Sequence, residues 1–200
     1  MRASGARTIA VNDQYLVAPW ADILYFADTR WWEWHHAGLE KKWPWVRFSA
    51  EQVRTAFARF AGQKVTIDGT GMMVPDPDVF MLHNDGVSGK HDGLTECPNA
   101  LRTGSNGGYQ AVNLAVLAGA KRVLLLGYDM RFPDGRSHSH NGHPSRHPET
   151  NYSQYAKHFA TMLPDLVRLG VEVINCTPGS AIQCFPVAAL ESVLACAPSA

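Results

Sequence analysis

The stretch "SNGGYQAVNLAVLAGAKRVLLLGYDM", residues 105–130, limits the possible folds more than any other part of the chain. Two glycines open a run of small and apolar residues that predicts a helix over 107–118, with Gly119 as its stop. The segment 121–127 follows, Lys121 and Arg122 leading into the apolar run "VLLLG", and predicts a buried strand ending at Asp129. A strand without polar alternation is covered on both faces, which is the condition of a parallel sheet flanked by helices.

The same alternation extends along the chain. "RTIAVNDQY" and "ADILYFAD" predict short β-branched strands that end at Asn12 and Asp13 and at Asp28. Between 29 and 42 a helix is expected, in which Trp31, Trp32 and Trp34 cannot all face inward. "FSAEQVRTAFARFAG" carries a capping box, Ser49 with Gln52, followed by Val53, Phe57 and Phe60 at helical spacing, and Gly62 is expected to close it. "KVTIDG" and "DVFMLHND" predict two more strands. Residues 84–106 are rich in Gly, Asn and Asp and lack periodicity, the composition of a long functional loop. A helix over 151–169 should be kinked or divided at Pro164 and closed by Gly170. The strand "VEVINC", the turn "TPGS" and one or two short helices over 181–195 complete the chain. The pattern predicts an α/β fold with a mainly parallel sheet, in one domain over residues 1–200.

Composition excludes some functions. Lys plus Arg equals Asp plus Glu at 18 each, so there is no general basic face for a nucleic-acid backbone, although a local nucleotide pocket is compatible. Cys97, Cys176, Cys184 and Cys196 form no C-x-x-C pair, the usage of reduced thiols in a cytoplasmic protein. No apolar run reaches the length of a membrane span, and the start has no signal-peptide pattern.

Parallel sheets bind ligands beyond the carboxyl ends of their strands. The candidates are therefore Asn12 and Asp13, Asp28, the turn from Gly104 to Gly108, Tyr128 and Asp129, and Thr177 to Ser180. "TGSNGGY" enters a helix and offers either backbone N–H groups to an anion or, more plainly, Ser105 or Asn106 as a helix cap. It is neither a P-loop nor a dinucleotide fingerprint. The loop "HSHNGHPSRH" carries His138, His140, His143 and His147 without a zinc-ligand spacing, so a histidine acting as general base is preferred over a metal site.

Taken together, "TGSNGGYQAVNLAVLAGAKRVLLLGYDM", "SHNGHP", "VEVINCTPGSAI", "VNDQY" and "FADTRWW" resemble the bacterial sialyltransferases of glycosyltransferase family 42. Uncharacterised phage and flagellar-locus proteins of similar layout share the resemblance. It implies a GT-A-like, Rossmann-like domain with helices on both faces of the sheet. A CMP-linked sugar would be bound without metal or other cofactor, and the sugar transferred to an acceptor hydroxyl. Asn12 would touch the nucleotide or its phosphate, and Asp28 would stand where the family has asparagine. Ser105, with Asn106 and Gly107, would lie at the cytidine. Tyr128 or Tyr152 would steady the leaving phosphate, beside Asp129, Thr177 and Ser180. His143, or else His147, would deprotonate the acceptor. The family opens with a strand and a G-x-G-P-S turn, whereas this chain opens "MRASGARTIAV", so the first strand and its glycine turn are expected to be lacking.

Two rival readings follow from the same residues. A pterin diphosphokinase-like transferase would need magnesium, for which Asp129 with Asp28 are the candidate carboxylates. A phage accessory protein could keep the nucleotide-binding shell without turnover, with the tryptophan-rich segment 31–45 as a partner surface.

Overall fold

The computed structural model describes residues 5–37, 49–68, 74, 76–86, 92–131 and 149–195. It is an α/β protein in which parallel strands alternate with helices, consistent with a Rossmann-like fold. The sequence reads as one domain, and the described chain groups into two compact units, residues 7–84 and, apart from these, chiefly residues 85–131 with 149–195.

In the first unit β1 (Ile9–Val11), β2 (Ile23–Phe26), β3 (Gln63–Ile67) and β4 (Val79–Asn84) pair in sequence order, all parallel. Register pairs Ala10 with Leu24, Leu24 with Lys64, and Phe26 with Thr66, which puts these residues on one face. Parallel crossovers are right-handed, so connections between successive neighbours pass over the same face. The core agrees: Ala10, Leu24 and Phe26 pack with Tyr15 from a 3-10 turn at Asn12–Leu16, Trp31 and Trp32 of α1 (Thr29–Ala37), and Phe57 of α2 (Ala50–Arg59). Two of the three neighbouring tryptophans are thus buried; the Trp34 side chain lies outside the described residues. Lys64 is tolerated on this face because its ammonium sits 5.0 Å from the centre of the Phe57 ring. Tyr25, Val65, Ile67 and Leu82, on the opposite face, are buried too, which explains the unbroken apolar strands.

The capping box forms as the sequence predicts: Ser49 accepts from Gln52 N–H, and the Gln52 side chain accepts from Ser49 N–H. Gly62, however, does not close α2. The helix ends at Arg59, and Phe60 is already extended, with φ −61° and ψ 114°. The glycine is required instead by close approach, since a Cβ there would lie 2.5 Å from the carbonyl oxygens of Ala21 and Asp22.

The second unit contains the short strand β5 (Ala100–Leu101), α3 (Gly107–Leu117), β6 (Arg122–Leu125), α4 (Glu149–His158), α5 (Leu163–Leu169), β7 (Glu172–Asn175) and α6 (Leu190–Ala195). β6 and β7 pair in parallel, and Asn175 makes a further bridge to Val187. The expected helix over 151–169 is divided: a 3-10 turn over Phe159–Met162 separates α4 from α5, and Pro164 stands in the first turn of α5, where its missing N–H costs nothing. Gly170 ends α5 in the left-handed conformation, φ 63°. Tyr109 and Val112 of α3, Leu125 of β6, Phe159, Met162, Leu166 and Val173 form the core.

Within the irregular stretch, residues 92–106 are ordered by polar side chains reaching out of helices. The fully buried Asn113 accepts from Thr95 N–H and Arg102 N–H and donates to the Thr95 carbonyl. The Tyr109 hydroxyl donates to the Gly93 carbonyl at 2.7 Å, and Asp165 accepts from Leu94 N–H at 2.8 Å. Burial alone would raise the Asp165 pKa, but that N–H and the Arg168 guanidinium outweigh it and hold the carboxyl below its usual range. Among the described residues no helix is long and apolar enough to cross a membrane.

Candidate functional site

Several of the candidate residues stand beyond strand ends, and backbone conformation marks three of these ends. Asn12 (φ 53°), Ser105 (φ 56°) and Met130 (φ 46°) are the described non-glycine residues in the left-handed region. Asn12 directly follows β1, Ser105 lies between β5 and α3, and Met130 lies beyond β6. Each such residue costs on the order of 1 kcal/mol, and strain of this kind concentrates where ligands bind.

In the first unit Asn12 and Asp28 are both exposed, just beyond the ends of the paired strands β1 and β2. The Asp28 carbonyl accepts from Trp32 N–H, which puts Asp28 at the N-cap position of α1. Asp13 is turned inward. Its Oδ1 accepts from Trp31 Nε1 at 2.5 Å and lies 3.1 Å from His35 Nε2. The Asp13 carboxylate draws the imidazole proton to Nε2, so His35 Nδ1 accepts from the Tyr15 hydroxyl at 2.7 Å. His35 is completely buried and stacked on Trp31 at 3.8 Å. Burial lowers its pKa against the opposing pull of Asp13.

The second unit joins the remaining strand-end segments directly. Tyr128 is the hub: its N–H donates to Thr177 Oγ1 at 2.9 Å, its carbonyl accepts from Ser180 Oγ, and its hydroxyl donates to the Gly108 carbonyl at 3.2 Å. The Ala181 N–H donates to the Asp129 carbonyl at 2.8 Å. Residues 104–108, 128–131 and 177–180 thereby form one continuous patch. Tyr152 is on α4, half-buried, with its ring 6.1 Å from that of Tyr155. His143 and His147, together with His138 and His140, lie outside the described residues.

Within the patch, structural duties and open groups separate. Asn106 Oδ1 accepts from Gly108 N–H at 2.8 Å and Tyr109 N–H at 3.2 Å, so it is the N-cap of α3 and occupies two of the amides at this helix end. Gly108 is glycine because a Cβ would come 2.7 Å from the Tyr128 ring. Gly104 is likewise pressed against the ring of Tyr109. The Tyr128 hydroxyl is buried and its pKa is pushed upward, so it stays protonated. Groups without such a duty include the exposed Ser105 and the carboxylate of the half-buried Asp129, which no hydrogen bond or ion pair engages among the described residues.

Two residues escape the sequence reading. Arg131 lays its guanidinium across the 177–180 turn: a Cβ on Gly179, itself left-handed at φ 67°, would meet Nη2 at 2.7 Å. It is exposed and has no ion-pair partner among the described residues. His158, half-buried at the end of α4, directs Nδ1 to the Gly104 carbonyl at 2.9 Å. The only sequence signal for Arg131 is its place two residues after Asp129; His158 has none apart from the histidine-rich stretch before it. Among the described residues no group of three or more His, Cys, Asp or Glu side chains is placed to hold a metal ion. Comparison with protein-family models, with curated proteins and with solved structures finds no significant match to the chain.

Proposed function

We propose that the patch on the second unit binds a nucleotide-activated sugar, a CMP-linked one in the reading the sequence resemblance favours, and transfers the sugar to an acceptor hydroxyl. The observation that carries the proposal is the joining of three strand-end segments through Tyr128, with the Arg131 guanidinium laid on the adjoining turn. A guanidinium with no ion-pair partner among the described residues suits the phosphate of a nucleotide, and charge leaving on that phosphate is what such transfer must stabilise. Ser105 and Gly107 N–H are the groups best placed to meet the ligand at the α3 end, because Asn106 already serves Gly108 and Tyr109.

Thermal denaturation with CMP, CDP, UDP, GDP and ATP, each with and without magnesium, tests the reading. A ligand at about 100 times its dissociation constant adds roughly 2.7 kcal/mol of stability. A magnesium-independent rise with cytidine nucleotides supports it; no rise with any nucleotide contradicts it. A rise only with ATP and magnesium would favour the diphosphokinase-like alternative. A non-catalytic nucleotide-binding role is the second reading, favoured by the commitment of Asn106 and Tyr128 to the fold. Binding of cytidine nucleotides without turnover of any sugar-linked form would select it.

A further inference from the structure

The resemblance assigns the base to His143 or His147, yet a different histidine is built into the patch. His158 is held at two points. Its Nδ1 is 2.9 Å from the Gly104 carbonyl, and its own carbonyl accepts from Thr161 Oγ1 at 2.7 Å. Thr161 is also 3.0 Å from the Tyr109 hydroxyl, and the Tyr109 ring lies against Gly104. The imidazole, the turn and the helix end therefore fix one another in a closed circuit. Among the described residues, the titratable or charged groups on the segments meeting His158 include Tyr109 of α3 and, two residues before Gly104, Arg102; its own helix α4 carries Lys157 beside it, with Glu149, Tyr152 and Tyr155.

A carbonyl can only accept, so Nδ1 must carry the proton, and the neutral ring presents its lone pair at Nε2. Among the described residues Nε2 has no partner. A staple between helix and turn would be served by any N–H donor; a second nitrogen kept as an acceptor serves only a histidine. The turn it grips, Gly104–Ser105, is left-handed at both residues, φ 46° and 56°, and ends on the exposed Ser105.

We propose that His158 Nε2 is the proton acceptor for the nucleophilic hydroxyl at this site, an inference that rests on the transferase reading. The acceptor O–H bond breaks and its proton passes to Nε2. The oxygen bonds to the anomeric carbon as the bond from that carbon to the donor phosphate oxygen breaks. The phosphate leaves with the electron pair. The imidazolium keeps its Nδ1–H on the Gly104 carbonyl and returns the new proton to solvent.

The test uses the full chain with CMP-, UDP- and GDP-linked sugars, measuring nucleotide release with water or a sugar hydroxyl as acceptor. His158→Gln keeps an N–H donor for Gly104 but takes up no proton. It should lower kcat by about 100-fold or more and abolish the acid limb of the pH profile, with KM and the melting temperature little changed. His158→Asn should behave alike if the Gln variant folds poorly. Nitrogen NMR of the wild type should show the neutral His158 ring protonated at Nδ1 and not at Nε2. A Gln variant within threefold of wild type, with its acid limb intact, overturns the assignment and leaves the transferase reading standing; so does the opposite tautomer. A wild type that neither binds nor turns over any of these donors overturns both, and is recognised because the unmutated protein is silent.

Discussion

His35 is the residue whose chemistry predicts the clearest pH response. Its pKa is lowered in the folded state, by burial first, from an unfolded value near 6.5. Between the two values the unfolded chain binds more protons, so stability rises with pH through that window and is lost on acidification below about pH 6.5. Urea midpoints measured at pH 7.5 and 5.5 should fall with acid, and His35→Gln should flatten the slope. An equal slope in the variant would assign the effect to another group. Gly108→Ala should destabilise by about 1–3 kcal/mol, because the added methyl meets Tyr128 at 2.7 Å and Asn106 Oδ1 at 2.9 Å; a melt within experimental error of wild type would contradict the packing account. At this scale the sequence was informative about positions and less so about duties. Asn12, Ser105 and Asp129 could be picked out as strand-end residues, and they do lie there. That Asn106 would turn back on its own helix, or the Tyr128 hydroxyl on Gly108, depends on rotamers and neighbours that spacing does not carry.

Elements were easier to read where one local cause decides them. Ser49 and Gln52 sit three apart before an apolar stripe, and the cap they form follows from that spacing alone. Ser49→Ala should cost about 1 kcal/mol in chemical denaturation, within a range of roughly 0.5–2. Pro164 lacks an N–H, so a break was legible, though its form as a 3-10 turn between two helices was not. Gly62 shows the opposite case: a glycine after a helix suggests a stop, but here the nearby carbonyls of Ala21 and Asp22 require it, and those are distant in sequence. Residues 92–106 had no periodicity to read because their order comes from outside them. Asn113→Ala should therefore cost about 3 kcal/mol, leaving Thr95 and Arg102 N–H groups without their partner. Hydrogen exchange should speed up first at those amides; unchanged protection there would refute the staple.

For the whole molecule, the α/β architecture follows from short, unbroken apolar strands alternating with helices, and both faces of β2 are buried as that pattern demands. The grouping into two units was not visible, because composition shifts little along the chain and contacts, not sequence, define it. Function follows from neither architecture nor composition; the proposed one rests on the groups left open, among the described residues, at the patch around Tyr128, with Arg131 a cation there. Calorimetric titration of CMP into the wild type and Arg131→Ala, both without magnesium, tests this most directly. Saturable binding by the wild type, weakened at least tenfold in a variant that melts normally, is the predicted result. No heat of binding, or equal affinity in the two proteins, would contradict the assignment of this patch as the nucleotide site.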